Sequence, residues 1–220
     1  STISRPIMLT RFRSALARLS PAGARKRFST EVGRIIRSST MQFAVGCQVL
    51  RPQVPVFGAL VKVQALGDDE IYGLIHDVRM EDDPFVRQMA TTESLRPEII
   101  EDQRRNRQVP IEVAVLVAGY RHNGAIYHRL PPQPPLSLDV IHTCDGDELV
   151  AFTECFDYFR LVLDSRDVPA DELLAANLRY AAAARDDGAG QFMLEAGREL
   201  ARLLSFDLAR LDALLRRIRP

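Results

Sequence analysis

Tryptophan is absent from this chain of 220 residues, and cysteine is down to three. Without indoles the sequence lacks the usual material of an aromatic ligand cage or a membrane-interface belt. Cys47, Cys144 and Cys155 are odd in number and far apart, the usage of a reducing compartment with thiols rather than of a disulfide framework. No sign of charge is in excess: 29 Lys+Arg balance 29 Asp+Glu, so the whole-chain field selects no partner. Long hydrophobic runs are missing too. The longest, 111–119, is interrupted by Glu112 and has the length of a strand, short of the roughly 20 residues that cross a bilayer.

Catalytic signatures are equally scarce. There is no G-x-x-x-x-G-K-[ST], so no phosphate loop, and no C-x-x-C or H-E-x-x-H. Gly188-Ala189-Gly190 lacks the strand that precedes a dinucleotide fingerprint. His142, Cys144 and Asp145 are close enough to share a metal, but a fourth ligand at recognisable spacing is wanting. A nucleophilic pair of Cys144 or Cys155 with His122 or His128 would have to form in space, because nothing local supports it. His76-Asp77 has the look of an oriented base, though a partly exposed strand end explains it as well. The expectation is a protein that is not an enzyme and has no cofactor and no metal.

What is present is strand, packed densely into residues 31–80. Val32, Ile35 and Ile36 surround Gly33; Met41, Phe43 and Val45 alternate with Gln42 and Ala44; Leu60-Val61-Lys62-Val63 follows Phe57-Gly58; and the run 70–78 carries Gly73 at its middle, where a small barrel needs a bend or bulge. Pro52 and Pro55 mark a loop. Residues 81–110 are charged, contain Pro84 and Pro97 and lack alternation, which reads as a helical insertion between barrel strands. The β-branched run 111–120 returns to the sheet, and Asn123-Gly124 turns it back as a hairpin.

Pro131-Pro132-Gln133-Pro134-Pro135 reads as a stiff spacer at 131–136. Beyond it, 138–142 fits a last strand, and 148–160 a helix with Phe152, Phe156 and Phe159 on one side and Tyr158 off that stripe. Pro169-Ala170-Asp171-Glu172 starts a helix, with acids near its positive end. Met193, Gly197, Leu200, Leu204, Leu208, Leu211, Leu215 and Ile218 then recur at three- and four-residue steps. That pattern predicts one long helix, or two stacked helices if Ser205 caps the second. Its apolar stripe serves a core or an oligomer seam, and Leu208, Leu211, Leu215 and Ile218 are the candidate partner contacts. The fold class is α+β: a basic arm at 1–30, a small barrel at 31–130, the proline-rich linker, and a mainly helical region at 137–220.

The arm is the compositional outlier. Arg5, Arg11, Arg13, Arg18, Arg25, Lys26 and Arg27 stand there with no acid before Glu31. It reads as a solvated or partner-ordered arm, an organelle transit peptide, or a nucleic-acid contact. The location is accordingly expected to be cytoplasmic, with an organelle (plastid or mitochondrion) as the alternative.

The run Val32-Gly33-Arg34-Ile35-Ile36-Arg37-Ser38-Ser39, with Gly58-Ala59-Leu60-Val61-Lys62-Val63 and Tyr72-Gly73-Leu74-Ile75-His76-Asp77-Val78, resembles a HAS barrel. This is the small barrel of HerA-type DNA-translocating ATPases and rotary ATP synthases. The resemblance covers about residues 31–129, and the whole chain is similar to stand-alone HAS-barrel proteins of photosynthetic bacteria. In HerA-type proteins an ATPase follows the barrel; here no phosphate loop follows, so the resemblance implies the barrel's assembly role without hydrolysis. The function expected is therefore an assembly or adaptor protein that docks on a partner protein, a HerA-like hexameric ATPase or another multisubunit complex. A nucleic-acid-binding accessory protein acting through the basic arm is the alternative, and a homo-oligomer through the C-terminal helix is open.

Overall fold

The computed structural model describes residues 29–49, 55–65, 67–80 and 109–218. They form seven strands, β1 (Glu31–Ser38), β2 (Gln42–Val49), β3 (Leu60–Gln64), β4 (Glu70–Met80), β5 (Val109–His122), β6 (Ala125–Tyr127) and β7 (Val140–Thr143). Five helices follow: α1 (Gly146–Phe152), α2 (Tyr158–Leu163), α3 (Ala170–Ala183), α4 (Ala189–Leu203) and α5 (Leu208–Ile218). The sheet runs β2-β1-β7-β3-β4-β5 and β2 pairs back onto β5, so six strands close a barrel. β6 lies outside the ring on β5. The α+β class and the order barrel, then helices, are those expected.

Alternation along each strand divides the core in two. On β3, Val61 and Val63 point into the barrel with Ile71, Ile75, Val113, Val115 and Val117. Leu60 points outward, and with Tyr72, Leu74, Leu116 and Ala118 it packs under the helices. The bend expected at Gly73 is real: the β4–β5 register shifts between Tyr72 and Gly73, and again between Ile75 and Asp77. A methyl group on Gly73 would sit 2.4 Å from Val115 Cγ1 and 2.9 Å from Leu116 O, so the tight curve requires glycine.

Four expectations need correction. The barrel does not end at 130. β7 inserts between β1 and β3, pairing antiparallel with both. The proline run before it is not a spacer between two units, since Pro131 and Pro135 are buried and Ser38 Oγ donates to Pro135 O. The helix expected over 148–160 is two helices. Thr153 Oγ1 donates back to Leu149 O at 2.6 Å, the chain turns, and α2 restarts at Tyr158. That turn buries Tyr158 completely, although it was placed off the apolar stripe. The last stripe is two stacked helices, the second of the two readings offered above, but with a different cap. The second helix is capped by Asp207 and not Ser205: Asp207 Oδ1 accepts from Arg210 N at 3.0 Å.

The charged insertion expected at 81–110 lies outside the described residues up to 108, and β5 begins at Val109. Among the described residues no helix is long and apolar enough to cross a membrane.

Candidate functional site

Among the described residues, polar ties fasten the helices to the barrel. The deeper tie is Asn177 of α3, fully buried, whose Nδ2 donates to Gly58 O at 3.1 Å while its Oδ1 accepts from Tyr158 OH at 2.9 Å. A lone asparagine within the apolar face of Leu173, Leu174, Leu178 and Ala181 is costly unless hydrogen-bonded, and here the loop before β3 and α2 each supply one partner. Burial raises the Tyr158 hydroxyl far above its usual range, so it stays a donor.

The second tie is charged. Glu70 and Arg121 are cross-strand partners on β4 and β5, with Arg121 Nη2 at 2.5 Å from Glu70 Oε2. Tyr72 OH donates to the same carboxylate at 2.7 Å, and Lys62 Nζ stands 3.3 Å from its other oxygen. Lys62 also pairs with Glu148 Oε1 of α1. Glu148 Oε2 accepts from Asp145 N at 3.0 Å, while Asp145 Oδ1 accepts from Glu148 N at 2.8 Å. One carboxylate thus completes a capping box and grips the barrel. Burial alone would lower Lys62, but Glu148 and Glu70 outweigh it and hold the ammonium above its ordinary value. Burial likewise raises Cys144, beside this cluster, well above the usual thiol value. Asp145 of the His142, Cys144 and Asp145 trio is therefore spent as a helix cap. Among the described residues no three His, Cys, Asp or Glu side chains converge as metal ligands.

On the far side of the aromatic packing opens a cleft of about 510 Å³. Ile126, His128 and Arg129 form one wall; Glu154, Cys155 and Asp157, from the turn between α1 and α2, form the other. Of the Cys–His pairings weighed above, the fold brings His128 and Cys155 to one depression. The other candidates do not line it: His122 Nδ1 lies 2.5 Å from Asp69, and Cys144 lies near the charges of Lys62 and Glu148. His128 Nε2 meets Phe152 O at 3.0 Å. A carbonyl only accepts, so the proton is on Nε2 and the imidazole is a neutral wedge between the rings of Phe152 and Tyr158, 4.7 and 5.3 Å away.

Burial pushes His128 below its ordinary 6.5, against the contact with Phe152 O and the charge of Asp157; burial also lowers His76. The unfolded imidazoles then bind protons before the folded ones do. This contribution to stability is complete above about pH 6.5 and is lost as the pH falls through and below that value. The urea midpoint is expected to drop between about pH 7.5 and pH 5.5, and to drop less in His128→Phe. Equal drops in the two proteins would show that the ring carries none of the effect.

A further feature is the barrel wall at β1. The segment 135–139 runs beside β1: Leu138 N donates to Ile35 O at 2.8 Å, Ile35 N to Asp139 O at 3.0 Å, and Arg34 Nη1 to Leu138 O at 3.0 Å. Leu138 was expected to open a strand; it sits instead at φ 74° with 68% of its surface exposed. Ile36 and Leu136 stand beside it, 48% and 49% exposed. Arg34 and Arg37 flank them, Arg37 pairing with Glu112. No sequence signal marks leucine for a left-handed backbone, so this residue was missed.

Of the candidate partner contacts, Ile218 is buried in the helical core and Leu211 and Leu215 are partly buried against it; Leu208 is exposed, next to a wholly exposed Phe206. The stripe is chiefly this chain's own core, with Leu214 as its unforeseen centre. Arg11, Arg13, Arg18, Arg25, Lys26 and Arg27 lie outside the described residues. No protein-family model and no curated protein matches the chain.

Proposed function

We propose that the chain is a non-enzymatic assembly or adaptor protein, and that the wall formed by β1 and segment 135–139 docks on a partner protein. The observation that carries this reading is Leu138. A leucine in left-handed backbone costs roughly 1–2 kcal/mol, and exposing its side chain forgoes roughly 2 kcal/mol of burial. Two hydrogen bonds with β1, one donated by Leu138 N to Ile35 O and one accepted by Leu138 O from Arg34, nevertheless pin its backbone in that state. Strain retained with the side chain held out to water is intelligible where a partner covers that side chain. The partner implied by the HAS-barrel resemblance is a hexameric ATPase of the HerA kind or another multisubunit complex.

Leu138→Asn separates docking from folding. Asparagine tolerates the left-handed region, so stability is expected to rise by about 0.5–1 kcal/mol. Partner recovery is expected to fall about tenfold or more, as for the loss of a buried leucine contact. The measurement is quantitative affinity purification from native extract beside a thermal melt. Unchanged recovery in Leu138→Asn and Ile36→Asp, or no stoichiometric partner for the unaltered protein, overturns the reading.

A further inference from the structure

We propose that the outer edge of β6 is a strand-addition site, taking an extended segment of a protein partner that carries basic side chains opposite Glu154 and Asp157; this rests on the docking reading above. The hairpin is the starting point. Asn123 and Gly124 have φ 49° and 81°, a two-residue turn of the primed kind, with His122 opposite Ala125, Arg121 opposite Ile126 and Tyr120 opposite Tyr127. In such a hairpin the pair beside the turn exchanges both main-chain bonds, and bonded pairs alternate. Ala125 and Tyr127 therefore bond to β5, and Ile126 turns its N–H and C=O away from it. No described residue takes either group.

An unpaired edge is ordinarily blunted by proline, lysine, a bulge or a covering element. This one faces the cleft, with Ile126 on its wall. The opposite wall supplies the selectivity. The carboxylates of Glu154 and Asp157 line the cleft, and neither accepts a hydrogen bond from a described residue. The cation at the cleft's end is already engaged: Arg129 Nε donates to Tyr120 OH at 3.2 Å, and its guanidinium lies 4.7 Å from the Tyr127 ring. The lining carries two carboxylates against the one guanidinium of Arg129, so the cleft is acidic on balance, although the charge of Arg185 also acts on Glu154 and that of Arg202 on Asp157. An added strand would meet the main-chain groups of Ile126, and alternate side chains would face one wall. Lysine or arginine at those positions complements Glu154 and Asp157.

The test uses the full chain and a synthetic hexapeptide of alternating valine and lysine, capped at both ends. Its control is the same peptide N-methylated at alternate residues, which keeps the charge and removes main-chain donors. Fluorescence anisotropy should show saturable binding that weakens about tenfold or more on N-methylation, and by a similar factor in the Glu154→Lys/Asp157→Lys variant. Exchange of the Ile126 amide should slow about tenfold or more with the peptide bound. Equal binding of the two peptides, no saturable binding, or an unprotected Ile126 amide overturns the proposal. If Leu138→Asn loses the partner while the hexapeptide fails to bind, strand addition alone is lost. If the hexapeptide binds and Leu138→Asn keeps its partner, the β1 docking wall alone is lost.

Discussion

Gly58→Ala is expected to destabilise the protein by about 3 kcal/mol, several times the cost of the same change at Gly67. Both glycines have positive φ, +83° and +75°. Alanine in that region costs roughly 1 kcal/mol. At Gly67 nothing lies within 4 Å of the added carbon. At Gly58 it would stand 2.6 Å from Ala176 Cβ and 3.0 Å from Ala176 C and Asn177 N. Two of those three atoms are helix backbone and cannot swing aside. Either α3 lifts off the barrel or the loop retreats, and both movements stretch the Asn177 bond to Gly58 O. The excess over Gly67→Ala is therefore the energy of separating the two layers at one point. Urea unfolding of the two variants measures it. Equal losses would mean that the close approach of α3 to the barrel has no energetic weight.

Lys62→Met is expected to cost about 2–3 kcal/mol at neutral pH. The ammonium faces two carboxylates, and the side chains of Lys62, Glu70 and Glu148 keep 17%, 10% and 19% of their surface exposed. Removing one partner of a fully buried pair costs roughly 3–5 kcal/mol, because the other charge is stranded. Residual exposure puts this cluster at or below the lower end of that range. Glu70 retains Arg121 and Tyr72, so the stranded group is Glu148. Adding Glu148→Gln to Lys62→Met should then restore more than half of the loss. On its own, Glu148→Gln weakens both the capping box and the lysine pair. Restoration is thus a property of the double variant alone, and a purely additive double variant sinks the account. The raised value of Lys62 sets a second sign. Its contribution is complete below about pH 10.5 and is lost as the pH climbs through the higher folded value, so the unaltered protein should weaken in alkali where Lys62→Met does not.

Strand existence was legible because side-chain alternation is a local signal. Val61 and Val63 against Leu60 and Lys62 fixed both faces of β3, and Asn123-Gly124 fixed the hairpin. The closing role of β7 was not legible, since it pairs with β1 across more than a hundred residues and with β3 across about eighty, and four residues carry little pattern. The break between α1 and α2 was missed because Phe152, Phe156 and Phe159 keep helical spacing across it; the back-bond of Thr153 is the deciding detail, and threonine gives that signal only weakly. The leucine stripe of α4 and α5 was seen correctly as a stripe. Periodicity states which face is apolar but not whether the chain itself or another molecule covers it. The cleft was the least legible feature, for His128 and Cys155 share no spacing rule and meet only because β6 and the α1–α2 turn flank one aromatic cluster.

The position of β7 has a consequence for biosynthesis. Five of the six ring strands emerge from the ribosome before it, yet β1 and β3 each keep an unpaired edge until Thr143 has been made. The nascent chain therefore carries an open, half-apolar sheet through the synthesis of the proline segment, and the ring seals by one late insertion. Translational pausing within 109–135 would lengthen that exposed interval, and a holdase chaperone would find its substrate there.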